Sequence, residues 1–206
     1  MLWFLKAHLE KYSSKDTEIG KYAKYCQKCL ERTLKNGERE AGPSRMEVLT
    51  VLLEEPFEKK HPLKIPVHFV NRTAEEFGFD SATTVQELID AINSEIGLRS
   101  IEQSGYALYT DNPVGPVQHC LQTSVKVCDV ISKWEKAMHS TKQGRHEPNR
   151  VIRLSYKNRL YFKSLAKSET HTERYFLVYQ TFNDIVNGRF PMAKESCIKM
   201  AALMAQ

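Results

Sequence analysis

Long apolar runs are missing from this chain of 206 residues, and so is a strong excess of charge of either sign. The apolar opening, MLWFLKAHLEKY, is interrupted by Lys6, His8, Glu10 and Lys11. It falls well short of the ~18 apolar residues a membrane helix needs, and Leu2, Leu5 and Leu9 instead share one face of an amphipathic helix. Thirty Lys and Arg against 25 Asp and Glu are too nearly balanced for a dedicated nucleic-acid binder, though a local acidic partner remains compatible. Cysteine is scarce and odd in number: Cys26, Cys29, Cys120, Cys128 and Cys197 are scattered and follow no secretory pattern, which argues against a disulfide framework and for a reducing cytoplasm. There is no phosphate-cradling glycine loop, no GxSxG, no HExxH and no carboxylate pair in an acid and base setting, so neither catalysis nor a resident cofactor is expected.

Two small motifs invite chemistry and are better explained by packing. The thiols of Cys26 and Cys29 are spaced to share one ion, but a tetrahedral zinc site needs two more ligands and no second CxxC or HxxxH supplies them. Buried structural cysteines and no metal are expected. His119 beside Cys120 lacks an orienting third group and reads as strand packing.

What is present is a change of period. Residues 1–54 read as three helical stretches separated at SSKD and NGEREAGPS, the third opened by Ser44 as N-cap with Glu47 in capping-box position. From Leu63 the pattern becomes two strands around NRTAE, then a helix with a Thr84 and Glu87 capping box, an apolar stripe of Val85, Leu88, Ile89, Ile92 and Ile96, and Gly97 as stop. GYALYT and VQHCL predict two further strands. A short helix carries Val127, Val130, Ile131 and Trp134, and a long strand has Ile152, Leu154, Tyr156, Leu160 and Phe162 on one face. In KNRLYFK the basic and aromatic residues Lys157, Arg159, Tyr161 and Lys163 interleave with apolar ones, as a half-buried strand requires, so no nucleic-acid surface is expected there. The order suits a ubiquitin-like β-grasp domain. A Thr170 and Glu173 capping box then opens a helix with Tyr175, Phe176, Tyr179, Phe182 and Val186 on one side and Gly188 as stop, and a last helix follows through MAKESCIKMAALMAQ.

In GKYAKYCQKCLERTLKNG, at roughly 100° per residue, Lys21, Lys24, Lys28, Arg32 and Lys35 share one side and Tyr22, Cys26, Cys29, Leu30 and Thr33 the other, with Glu31 alone interrupting the basic side. Two readings stay open: an ordinary solvated face, or contact with an acidic surface.

The helical ending PSRMEVLTVLL, followed at once by IPVHFVN, resembles the myosin tail homology 4 (MyTH) and FERM tandem of unconventional myosin tails. KVCDVISKWE, RLSYKNRLYF and ERYFLVYQTFNDIVNGRFP resemble the end of a FERM first lobe and the opening of the second. The overall likeness is nearest to the pleckstrin-homology-domain-containing family H proteins. The resemblance implies an α+β chain: the last MyTH helices in 1–54, a ubiquitin-like first FERM lobe in 62–163, and the start of a helical, acyl-CoA-binding-protein-like second lobe in 164–206, as in a fragment of a longer chain. It also implies one rigid supramodule with a short junction. The function implied is that of a non-catalytic cytoskeletal adaptor, cytoplasmic and cytoskeleton-associated, reaching the periphery of the plasma membrane. Its partners would be tubulin through Lys21, Lys24, Lys28, Arg32 and Lys35, phosphoinositide headgroups, and protein cargo through lobes not contained here; no nucleic acid is implied. The alternative is a regulatory ubiquitin-like lobe that binds a small GTPase or another signalling protein.

Overall fold

A computed structural model of the chain describes residues 2–53, 63–140, 150–161 and 163–205. Three helices come first: α1 (Leu2–Ser13), α2 (Glu18–Asn36) and α3 (Arg45–Leu53). α1 and α2 form an antiparallel pair joined by a short turn, against which Gly20, in the first turn of α2, packs so closely that a Cβ there would lie 1.8 Å from the Lys15 carbonyl oxygen. Thr17 caps α2 by accepting from Gly20 N at 3.2 Å.

The middle of the chain is a mixed sheet. β1 (Leu63–Phe69) and β2 (Ala74–Phe79) form the expected hairpin, α4 (Val85–Ile96) crosses the sheet, and a single turn α5 (Ile101–Ser104) precedes β3 (Tyr106–Thr110). β4 (His119–Cys120), α6 (Val127–Ser140) and β5 (Leu154–Asn158) complete it. The strand order is β2-β1-β5-β3-β4, with β5 parallel to β1 and antiparallel to β3. Strand alternation turns Ile65, Val67, Phe79, Leu108, Leu154 and Tyr156 inward, where α4 meets them with Val85, Leu88, Ile89 and Ile92, none of these four more than 1% exposed. Each such side chain contributes roughly 1.5–3 kcal/mol by leaving water, which makes α4 and the sheet the centre of stability. The α4 capping box and the left-handed Gly97 stop form as the sequence predicts.

After a 3-10 turn (Lys163–Ser168) comes α7 (His171–Val186), docked across the end of the sheet, and then α8 (Lys194–Met204). Arg99 grips α7: its Nη2 and Nε donate to the Glu173 carboxylate at 2.7 and 3.0 Å, and Tyr106 Oη donates to the Glu173 carbonyl at 2.9 Å. Phe176 stacks on Phe69.

Several expectations require correction. The strand expected through Phe162 ends at Asn158, because the amides of Arg159 and Leu160 both turn onto the Gly105 carbonyl where the β3 ladder stops. Leu160 is therefore 50% exposed, and Phe162 lies outside the described residues. The helix after β4 is not short: α6 has 14 residues. α5 was not expected at all. On α7 the expected apolar side divides, with Phe176 buried and Tyr175 42% exposed, since the inward face also carries Glu173, Gln180 and Asn183 bonded to the sheet end.

Candidate binding surface on the basic helix

α2 serves two neighbours, and this splits its basic side. Gly20, Ala23 and Leu30 are buried on the side toward α1. One face further round, Arg32 and Asn36 reach the ubiquitin-like lobe. Arg32 Nε and Nη2 donate to Asp80 at 3.0 and 3.2 Å, while Nη1 and Nη2 donate to Glu87 at 2.8 and 2.7 Å. The planar guanidinium is thus forked onto two carboxylates at once, a geometry an ammonium cannot reproduce. Asn36 Nδ2 adds bonds to the Ala82 carbonyl at 2.8 Å and to Glu87 at 3.0 Å. Glu87 therefore caps α4 and holds α2 with one side chain.

A second arginine repeats the device. Arg39 Nε donates to Asp129 and its Nη1 to Glu47, each at 2.5 Å. Asp129, in the first turn of α6, also accepts from the amides of Glu40 at 3.0 Å and Ala41 at 3.2 Å, and Lys126 Nζ donates to the Glu38 carbonyl. Glu47 simultaneously accepts from Ser44 N at 2.7 Å, forming the predicted capping box of α3.

The electrostatics follow from these bonds. Hydrogen bonds from Arg32 lead in lowering Glu87, to about 2. Burial would raise Asp80, Asp129 and Glu47, but the arginines and the surrounding donors overcome it and hold all three below the usual carboxylate range.

Of the predicted site residues, Lys21, Lys24, Lys28 and Lys35 are exposed along one side of α2. Lys35 stands 3.7 Å from Glu87. Arg32 does not join them: it is turned into the lobe contact, contrary to the expectation that it faces an acidic surface. The assumed apolar side is also corrected, since Cys26 is exposed and Cys29 only half-buried, because the buried side lies nearer Ala23 and Leu30. Burial raises the Cys29 thiol, so it is not an activated thiolate. His119 and Cys120 form the expected strand, pairing with Thr110 and Tyr109 of β3, but both side chains are exposed. Among the described residues no group of three or more His, Cys, Asp or Glu is set to hold a metal.

Sequence reasoning missed Asp80, Arg39 and Asp129. Each lies in a loop or a first helical turn, and the pairs Arg32–Asp80 and Arg39–Asp129 join residues 48 and 90 positions apart, so no local pattern marks them.

A family model described as RA like domain matches residues 61–163, and a MyTH4 domain model matches residues 1–50. The chain belongs to the RA-like domain family. Its RA-like lobe sits in a MyTH4–FERM tandem, directly behind the MyTH4 helices. The uncharacterised Drosophila melanogaster protein CG43867 is 48% identical over 207 residues, covering 100% of this chain and 11% of that protein. Drosophila Myosin-VIIa is 26% identical over 181 residues, covering 88% of this chain and 8% of that protein. The chain thus spans about a tenth of the length of these relatives. The MF1 MyTH4–FERM domain of Dictyostelium discoideum myosin VII, in a mutant form, superposes with a TM-score of 0.74 at 21% identity, over 92% of this chain and 37% of that one. The C-terminal MyTH4–FERM domain of human myosin 7b, solved with the harmonin-a PDZ3 domain, gives 0.63 at 16% identity, over 85% and 34%. At these identities the likeness establishes the α+β fold of the RA-like lobe and its helical neighbours.

Proposed function

We propose that this chain is a non-catalytic adaptor segment of a MyTH4–FERM supramodule, linking cytoskeletal filaments, specifically microtubules, to membrane-associated partners. The observation that carries the reading is the division of α2: Arg32 and Asn36 lock the helix to the RA-like lobe, and Lys21, Lys24, Lys28 and Lys35 are held outward on a rigid support. A fixed row of cations attracts an acidic filament surface through long-range, salt-sensitive forces without first having to be ordered. On this reading the MyTH4 helices occupy 1–54, the ubiquitin-like lobe 62–163 and the beginning of the second FERM lobe 164–206. The protein would be cytoplasmic and cytoskeleton-associated, with protein cargo and phosphoinositide contact at the plasma membrane. The human relative bound to a PDZ domain supports protein partners of this kind.

Microtubule co-sedimentation of the parent and of a Lys21→Glu, Lys24→Glu, Lys28→Glu variant tests the reading. Salt-sensitive pelleting that the folded variant loses supports it. A folded parent that stays in the supernatant even at low salt refutes it.

A second reading, binding of a small GTPase or another signalling protein, is favoured by the outer edge of β2, which lies at the end of the strand order and offers backbone groups for strand addition. A GTP-dependent pull-down abolished by a proline at Glu76, whose amide points away from β1, is its expected signature.

A further inference from the structure

The side of the sheet away from α4 and α6 takes no part in the contacts with α2 and α3. Strand alternation and register place Lys64 and His68 of β1, Arg153 just before β5, Lys157 of β5, and Tyr109 of β3 on this face. Between them stand Gly78 and Ser155, small and half-buried, so a backbone can approach the middle of the face closely, while Ala107 at its β3 side is covered, at 4% exposure.

The face is also cationic. Among the described residues no carboxylate lies within ion-pair distance of Arg153 or Lys157, and Lys64 has only Glu76 at 4.0 Å. Lys157 Nζ lies 4.3 Å above the Tyr109 ring and donates to Gln118 at 2.7 Å, so its charge is fixed within the sheet. The positive potential is felt by its own members. Burial and then Arg189, beyond the end of α7, lower Lys157 against an opposing pull from Asp184, which stands 3.8 Å from Arg189, and burial and then Arg153 lower His68.

We propose that this sheet face docks an acidic polypeptide segment of a partner protein, its carboxylates meeting Lys64, Arg153 and Lys157 while its backbone lies along the track between them. A lipid surface fits less well. The Lys157 charge is held down in the sheet, and none of the exposed large apolar side chains among the described residues belongs to a strand, so the strands offer nothing to insert into a bilayer. The face is opposite the α4 side that receives Arg32, so the docked segment and a filament on α2 occupy different sides of the lobe. The inference stands or falls independently of the filament reading.

The test titrates the isotopically labelled chain at low salt with a synthetic peptide of alternating Glu and Ala, observed by amide NMR, with phosphatidylserine vesicles in a parallel sedimentation assay. Amide shifts should concentrate in residues 64–68 and 153–157, and the His68 ring should titrate higher with peptide present, as bound carboxylates offset Arg153. Arg153→Glu with Lys157→Glu should weaken the peptide by at least about tenfold, and the exposed Arg153→Ala alone by less, while Lys24→Glu leaves affinity unchanged. Shifts confined to α2, affinity insensitive to the sheet variants, no peptide binding at low salt, or vesicle binding through these residues without peptide binding would each overturn the proposal.

Discussion

Arg32 and Glu87 meet at 2.7 Å across the boundary between the MyTH4 helices and the RA-like lobe. Because Glu87 also caps α4, this contact ties α2 to the helix that packs most tightly on the sheet. Truncation of Arg32 leaves Asp80 and Glu87 facing each other with their principal donor gone.

Arg32→Ala is expected to cost about 2–3 kcal/mol. That is below the ~3–5 kcal/mol of a fully buried pair, since the Arg32 side chain keeps 24% exposure. Arg32→Lys should recover less than half of the loss, because one ammonium cannot fork onto two carboxylates. Urea unfolding midpoints of the three proteins check both statements.

Asp129 is expected to hold the loop before α3 through three donors. Asp129→Ala should accelerate hydrogen exchange at the Glu40 and Ala41 amides by at least about tenfold, the equivalent of ~1.4 kcal/mol, with little change in α1. Unchanged exchange at those two amides would show that the loop is anchored otherwise.

Acid should separate the helical and ubiquitin-like units before the sheet itself fails. Glu87 is lowered to about 2, and Asp80, Asp129, Glu47 and Glu173 all lie below their ordinary values. Each therefore binds its proton more weakly folded than unfolded. The stability they contribute is complete above the usual carboxylate range and declines as pH falls through that range toward about 2. Stability measured across this window should rise with pH, and a flat profile would contradict the account.

α8 and α4 should differ sharply in exchange. α4 buries four apolar side chains almost completely, whereas no described residue of α8 is buried and Ile198 is 60% exposed. Amides of α8 should exchange near the rate of an unprotected helix, with those of α4 approaching the global limit. Equal protection in the two helices would refute this.

Legibility in the sequence followed the range of the interaction. The α4 stripe, its Thr84 cap and the Ser44 and Glu47 pair are local, and each was readable from residues within a few positions of one another. β5 was overextended because Leu160 and Phe162 continue the even-numbered pattern past the point where Gly105 ends the ladder. α2 was harder to read: a single apolar period cannot describe a helix with one packed side toward α1 and another toward the sheet domain. A single period therefore turns Cys26 inward and Arg32 outward, the reverse of where the two neighbours of α2 place them. The clamp residues Asp80 and Asp129 were invisible for the same reason, since their role exists only once distant segments have met.

The division of labour on α2 is tested most directly by removing one charge at a time. Lys24→Gln and Arg32→Gln would be compared with the parent in low-salt microtubule co-sedimentation and in urea unfolding. The account predicts that Lys24→Gln weakens pelleting at an unchanged unfolding midpoint, whereas Arg32→Gln lowers the midpoint and leaves pelleting of the folded protein within about twofold, or ~0.4 kcal/mol. Loss of pelleting by a fully stable Arg32→Gln, with Lys24→Gln unaffected, would contradict it.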